Sequence, residues 1–307
     1  EIDSLKIHAI YDEWPKIAKL YYEKDLKKGN FSAIKHIVFS GMGGSGALGD
    51  IFSAILSKTD IHVCVVKGYN LPKTVDPNTL VIPVSISGNT NETLSIMESA
   101  YEHGCKIIAF SSGGKMEQLC LEKKIEFRKI EQIHSPRASF PTFLYSMLNV
   151  LSTIIPIKKE EIFESIENLV SLQKEISSDN LSKSNIALNL AEWIKDIPLI
   201  YYSWGLQSAA IRFKNSLQEN AKTHVIIEDI LESCHNGIVA WEKKSNIQPI
   251  LIRGTEDHIK TKEKYEIIKK YFQEKQIDYK EIISVEGNIL SKIVSLIYLL
   301  DYVTIYK

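Results

Sequence analysis

The stretch Val84-Ser85-Ile86-Ser87-Gly88-Asn89-Thr90-Asn91-Glu92-Thr93 decides how this chain is read. The apolar run at 80–84 reads as a buried strand, and the residues after the stretch have helical spacing. A strand that ends in Ser, Ser, Gly and Thr and turns into a helix is a place to hold an anion. The first turn of a helix offers N–H groups without intrahelical partners and roughly half a positive charge. The hydroxyls of Ser85, Ser87 and Thr90 add donors, and Gly88 lets backbone come close. No lysine lies in the stretch, so a bound group would be held by neutral donors. That suits a sugar phosphate, which must come and go, better than a nucleoside triphosphate with its metal. The same residues also support a plain strand–helix turn, with Asn89 as N-cap and Glu92 closing a capping box. The rest of the chain has to separate these two readings.

Upstream, 36–40 is a short apolar strand followed at once by Gly41-Met42-Gly43-Gly44-Ser45-Gly46, with helical spacing over 47–56. Further strands at 61–66, 80–85, 106–110 and 125–130 alternate with helices at 93–103 and 116–123. Strands and helices in this order imply βαβ units and a parallel sheet with right-handed crossovers. Ahead of them, 3–28 has helical spacing (Leu5, Ile10, Trp14, Ile17, Leu20), with Pro15 as a break or second start and Gly29-Asn30 as the end. No strand pattern appears from 142 to 196, where helical stretches at 142–154, 159–177 and 184–195 read as a connector. The alternation then resumes: strand 198–203, a turn at Gly205, helix 207–221, strands 224–227 and 247–253, helix 262–275, strand 279–285, and a closing apolar helix 289–306. The strand–turn–helix plan of 199–205 and the helix after it repeats that of 37–46, an internal duplication. The expected fold class is therefore α/β, with two related halves, each a mostly parallel sheet flanked by helices. The expected divisions are a helical segment 1–30, a first half 31–141, a connector 142–196 and a second half 197–307.

The run Gly41-Met42-Gly43-Gly44-Ser45-Gly46 also fits G-x-G-x-x-G, which makes a nicotinamide dehydrogenase a rival. That fingerprint wants an acidic residue roughly 20 positions on, at the end of the second strand, for the ribose hydroxyls. Here that strand ends Val65-Val66-Lys67-Gly68, and Asp60 lies at its wrong end, which weakens the dinucleotide reading. What remains is a glycine loop able to wrap a ligand at a helix start. Ligands of open parallel sheets bind at the carboxyl ends of strands, so this loop and the Ser87 loop can face one pocket.

Composition narrows the class. With 307 residues, 44% hydrophobic and 24% charged, the chain resembles an ordinary globular protein of two domains or one large α/β unit. A formal net charge of -1 gives no attraction to nucleic acid or an anionic membrane. Cys64, Cys105, Cys120 and Cys234 form no C-x-x-C pair and no metal-ligand spacing, which reads as reduced thiols in a cytosolic protein. The start of the sequence lacks a signal-peptide pattern. The longest uncharged run, 138–157, is long enough to span a membrane, but Pro141, Pro156, Asn149 and five Ser or Thr residues make it read as a buried core helix. The expectation is a soluble, cytoplasmic protein. Arginine is scarce: Arg128, Arg137, Arg212 and Arg253 are the only four, so each invites a question.

Phe39-Ser-Gly-Met-Gly-Gly-Ser-Gly-Ala-Leu-Gly-Asp50 together with Ser85-Ile-Ser-Gly-Asn-Thr-Asn-Glu-Thr93 resembles the sugar isomerase (SIS) domain. Three further stretches are similar to the bifunctional phosphoglucose/phosphomannose isomerases: Ser135-Pro-Arg137-Ala-Ser, Glu219-Asn220-Ala221-Lys222, and His235-Asn236-Gly-Ile-Val-Ala-Trp241-Glu242. The resemblance runs in order over nearly the whole chain. It implies two SIS-type subdomains, a homodimer, no metal, no cofactor, and aldose–ketose interconversion of glucose, mannose and fructose 6-phosphates. It also implies site roles: Gly44, Ser45, Ser85, Ser87 and Thr90 for the phosphate, Glu219 as catalytic base, His235 for ring opening, and Arg137 in the active site. His235 is further implied to reach the neighbouring subunit's site.

The chemistry of these residue types agrees with those roles. Moving a proton between C1 and C2 through an enediol needs one base that takes it and returns it on one face, and a carboxylate is ready for this at neutral pH. An imidazole titrating near neutrality can pass a proton to the ring oxygen. A guanidinium, always charged, can stabilise enediolate oxygens. Taken singly, Glu219 also reads as a solvated helix-end carboxylate, His235 as a surface loop histidine, and Arg137 as an ion-pair or helix-start residue.

Relatives of this kind run on past the segment resembling 301–306 into a last helix carrying an active-site lysine, a role not given to Lys307. A rival of another class is a non-catalytic SIS-type sugar-phosphate-binding regulator, though no basic recognition-helix stretch is found. A glucosamine 6-phosphate synthase shares the SIS plan but needs a glutaminase domain with a nucleophilic cysteine.

Overall fold

The computed structural model describes residues 6–307, so Leu5 and the start of the expected 3–28 helix lie outside the described residues. The chain divides into two compact units, one ending at Phe163 and one beginning at Glu164.

In the first unit, α1 (Ile7–Asp12) and α2 (Trp14–Glu23) are separate helices, and Pro15 sits in the first turn of α2. That is where a missing N–H costs nothing. The sheet strands are β1 (His36–Ser40), β2 (His62–Val66), β3 (Leu80–Ser85), β4 (Lys106–Ser111) and β5 (Glu126–Lys129). Between them run α3 (Gly43–Leu56), α4 (Asn91–Glu102) and α5 (Gly114–Lys123), and α6 (Phe140–Val150) follows. All pairings are parallel, in the order β2-β1-β3-β4-β5. β3 is buried along its whole length, as expected of a central strand covered on both faces. One side of the sheet packs Val38, Val81, Ala109 and Ile107 against Ile96, Met97, Ala100, Met116 and Cys120 of α4 and α5. Burial pushes the Cys120 thiol up to about 12, so it behaves as a small apolar residue.

The expected helix at 47–56 begins four residues earlier, at Gly43, because the glycines form its first turn rather than a loop before it. The uncharged run 138–157 yields only the 11-residue α6, ten of whose residues are buried. That is about half the length needed to span a bilayer. Among the described residues, one helix is long and apolar enough to cross a membrane, the closing helix Ile289–Tyr306, and 78% of it is buried.

Helix α7 (Lys159–Ile176) runs across the division between the units. The second unit then has α8 (Ile186–Trp193), β6 (Ile197–Tyr202), α9 (Gln207–Asn220), β7 (Ile226–Asp229) and the short α10 (Ile230–Ser233). A 3-10 turn at Gly237–Glu242 precedes β8 (Ile247–Arg253), α11 (Ile259–Glu274), β9 (Lys280–Ile283) and α12 (Ile289–Tyr306). α10 is one turn and the 3-10 segment two, both too short for a periodic pattern, and they were not foreseen. The sheet is again parallel, in the order β7-β6-β8-β9. In chain order that is 2-1-3-4, the same as the first four strands of the other sheet, so the duplication read from 37–46 and 199–205 extends through both sheets. Each copy places a positive-φ glycine three residues past its first strand, Gly43 (φ 54) and Gly205 (φ 92). α9 and α12 are joined by a buried ion pair: Arg212 Nε and Nη2 donate to Asp301 Oδ2 at 3.0 and 2.6 Å, and Ser216 Oγ donates to Asp301 Oδ1 at 2.9 Å.

Candidate active site

In an open parallel sheet the crevice lies where strand order reverses, and a 2-1-3-4-5 order puts it between the first and third strands. In the first unit that is the gap between β1 and β3. Ser40 is in register with Pro83, so the loop leaving β1 and the loop leaving β3 emerge side by side. Both lead into helices whose N-termini face this end of the sheet, α3 and α4.

The two loops are bonded to each other. Ser45 Oγ accepts from the Ile86 N–H at 3.3 Å. Gly41 is a close-approach position, since a Cβ there would lie 2.9 Å from the Val84 carbonyl oxygen. Within the second loop, Ser85 Oγ accepts from Gly88 N–H at 3.1 Å and shares a 2.9 Å contact with Thr90 Oγ1. Ser85 and Ser45 are buried, while Ser87 is exposed and Gly44 and Thr90 are half-buried. The five residues expected to hold a phosphate thus come together around two helix N-termini. Buried hydroxyls set the shape, and exposed ones line the opening.

A third loop supports this arrangement. Ser112 Oγ donates to the Ile86 carbonyl at 2.7 Å, and Met116 N–H donates to the Gly88 carbonyl at 2.9 Å. Gly88 has φ 71 and lies so close to Gly113 that a Cβ would sit 1.8 Å from its carbonyl oxygen. Asn89 is not an N-cap as the plain-turn reading had it. Its Nδ2 donates to the Ser87 carbonyl at 3.1 Å and its Oδ1 accepts from Lys115 N–H at 3.1 Å, while Thr90 is the cap residue and makes no side-chain cap bond. The Ser111-Ser112-Gly113-Gly114 run was missed in the sequence, although it carries the same signal, a strand ending in Ser and Gly before a helix.

The residue that spoke against a dinucleotide behaves accordingly. Asp60 precedes β2 and is ion-paired with Lys35, while at the carboxyl end of β2 stands Lys67, paired with Asp50 at 2.5 Å.

Arg137 lies in the turn between β5 and α6 and is half-buried. Ser139 ties that turn: its hydroxyl accepts from Ile133 N–H at 2.9 Å and donates to the Ser135 carbonyl at 2.8 Å. Arg128 is ion-paired with Glu126, Arg212 with Asp301 and Arg253 with Glu281.

Glu219 and His235 belong to the second unit, on separate elements. Glu219 is exposed in the last turn of α9, and Lys222 Nζ donates to its backbone carbonyl at 2.7 Å. His235 is exposed in the turn after α10, its N–H donating to the Glu232 carbonyl at 2.9 Å. Asp229 caps α10, accepting from Leu231 and Glu232 N–H groups. Glu228 packs against Gly237, where a Cβ would meet its carboxylate oxygens at 2.6 and 2.8 Å. Burial, and then the neighbouring Glu232 and Asp229 charges, hold the Glu228 carboxyl above its ordinary value.

The second unit has the same crevice between β6 and β8, but its own carboxylate closes it. Asp257 accepts from Ser203 Oγ at 3.0 Å and from Gly254 N–H at 2.9 Å. A phosphate would meet a like charge there. Among the described residues no group of three His, Cys, Asp or Glu side chains is placed to hold a metal ion.

This fold and its paired loops define a protein with two SIS domains. Residues 30–155 match the SIS domain family model, and residues 183–307 match the model described as "Bacterial phospho-glucose isomerase C-terminal SIS domain". The chain is 32% identical over 284 residues to a bifunctional phosphoglucose/phosphomannose isomerase of Caldicellulosiruptor bescii, covering 89% of this chain and 83% of that protein. A D-glucosamine-6-phosphate 4-epimerase of Sulfolobus acidocaldarius is 29% identical over 251 residues, covering 79% of this chain and 76% of that protein. The C-terminal domain of glucosamine-fructose-6-phosphate aminotransferase from Francisella tularensis has the same fold, with a TM-score of 0.71 at 14% identity over 100% of this chain and 96% of that chain. The chain belongs to the bifunctional phosphoglucose/phosphomannose isomerase family and is an isomerase.

Proposed function

We propose that this protein interconverts glucose 6-phosphate and mannose 6-phosphate with fructose 6-phosphate through a cis-enediol, without a metal or cofactor. The observation that carries the reading is the bonded pair of loops at the β1/β3 crevice, which gathers hydroxyls and helix N-termini around a space suited to a phosphate. In this reading Gly44, Ser45, Ser85, Ser87 and Thr90 anchor the phosphate. His235 protonates the ring oxygen and opens the sugar. Glu219 removes the proton from C2 of the aldose and delivers it to C1 of the ketose, while a proton moves between the two hydroxyl oxygens. Arg137 stabilises the negative charge that develops on the enediolate. Rotation of the sugar about C2–C3 presents either face of C2 to the same base, so one site makes both the glucose and mannose epimers.

The proposed organisation is a first SIS subdomain at 31–141 and a second at 197–307, acting in a cytoplasmic homodimer in which His235 completes the neighbouring subunit's site. Hexose 6-phosphates are the partners; nucleic acid and membrane are not.

A coupled assay with fructose 6-phosphate as substrate, with and without a chelator, tests this directly. Formation of glucose 6-phosphate and mannose 6-phosphate, unaffected by the chelator, is expected. Saturable binding of hexose 6-phosphates without turnover would favour a regulator instead. The 4-epimerase among the relatives makes glucosamine 6-phosphate a second substrate for the same assay.

A further inference from the structure

We propose that Lys115 supplies the positive charge to the substrate's phosphate, a role resting on the reading of the 41–46 and 85–90 loops as the phosphate site. Neutral donors hold a dianion, but they leave its charge uncompensated, and neither loop contains a cation. The third loop brings one. Lys115 N–H donates to Asn89 Oδ1 at 3.1 Å, so its backbone is fixed against the loop that carries Ser87 and Thr90. The flanking bond from Met116 N–H to the Gly88 carbonyl and the approach of Gly114 to the Ser87 carbonyl, where a Cβ would sit 2.7 Å away, leave that backbone little freedom.

The side chain itself is exposed and makes no ion pair among the described residues, unlike the other lysines at this end of the sheet. Lys67, just beyond β2, is paired with Asp50, and Lys129, at the end of β5, is paired with Glu117 at 3.0 Å. Lys115 also occupies the first turn of α5, where the helix dipole opposes a positive charge. An unpaired cation in that place is a local cost, which a phosphate held on the loop that carries Asn89 would offset. A lysine on a flexible stem acts here as a point charge that draws the anion in and lets it leave, which fits a substrate that must be released.

The test uses Lys115→Met and Lys115→Arg in the full chain, with fructose 6-phosphate kinetics and competitive inhibition by inorganic phosphate. For Lys115→Met, KM and the phosphate inhibition constant are expected to rise about tenfold at low ionic strength, with turnover at saturation within about twofold of wild type. The difference should shrink at high salt, and Lys115→Arg should restore both constants. Ser87→Ala is measured alongside. If it weakens phosphate inhibition while Lys115→Met does not, the Lys115 role is wrong and the loop reading stands. If neither variant changes phosphate inhibition, the loop reading itself fails. The side chain is exposed and its bonds are through the backbone, so both variants should melt with the wild type. A Met variant that did not would contradict a purely electrostatic role.

Discussion

The hydroxyl of Ser45, on the first turn of α3, accepts a hydrogen bond from the backbone N–H of Ile86, at the end of β3, at 3.3 Å. This contact binds two loops 41 residues apart in sequence into one rim of the crevice. Ser45 thereby has two duties, since its own O–H remains available to a ligand. Ser45→Ala leaves the Ile86 N–H without its acceptor, costing about 1 kcal/mol of stability. It should raise KM for fructose 6-phosphate about tenfold with little loss of turnover number. Steady-state kinetics together with urea unfolding separates the two effects.

Gly88 is held at φ 71 with the Gly113 carbonyl where a side chain would begin. Gly88→Ala must move either the 85–90 loop or the β4–α5 loop, at a cost of about 3 kcal/mol. Chemical unfolding should show that loss, and phosphate inhibition should weaken along with it.

The Arg212–Asp301 pair lies 3% and 0% exposed. Removing one partner leaves a buried charge uncompensated, so Asp301→Ala should cost about 3–5 kcal/mol. The pair joins α9, which ends at Glu219, to α12. Near-wild-type unfolding free energy in Asp301→Ala would show that the pair contributes nothing.

Glu228 is held above the ordinary carboxylate value, so the folded state retains its proton to higher pH than the unfolded chain does. Its contribution to stability is fully present below the unfolded value of 4.5 and is lost as pH rises through the raised folded value. Glu228→Gln, neutral throughout, should therefore gain stability relative to wild type as pH climbs above 4.5, and the two proteins should converge below it. Thermal melts across pH 4 to about 7 would show the divergence.

The parallel βαβ plan and the meeting of the 41–46 and 85–90 loops were legible in the sequence, because β1 and β3 are apolar runs that end in Ser and lead through Gly into a helix. The start of α3 was misplaced because glycine has low helix propensity, yet Gly43, Gly44 and Gly46 are helical, and a Cβ on Gly46 would lie 2.8 Å from the Gly41 carbonyl oxygen and 3.2 Å from Lys67 Cε. Asn89 suits a cap by its preference, as the plain-turn alternative has it, but a long-range partner, Lys115 N–H, donates to its Oδ1 instead. The closing of the second crevice by Asp257 has no local signature at all, since it depends on Ser203, Gly254 and Asp257 meeting across two strands. Glu219 and His235 lie on exposed turns where periodicity says nothing of chemistry, and only the resemblance singled them out.

The shuttling of a proton by Glu219 through an enediol is tested by glucose 6-phosphate incubated with the enzyme in deuterium oxide and followed by NMR. In wild type, the proton held on Glu219 exchanges with solvent in some turnovers, which puts deuterium at C1 of fructose 6-phosphate and at C2 of the aldoses. In Glu219→Gln the exchange should slow by orders of magnitude while hexose 6-phosphate binding persists. Exchange and interconversion at wild-type rates in Glu219→Gln would overturn the role of Glu219.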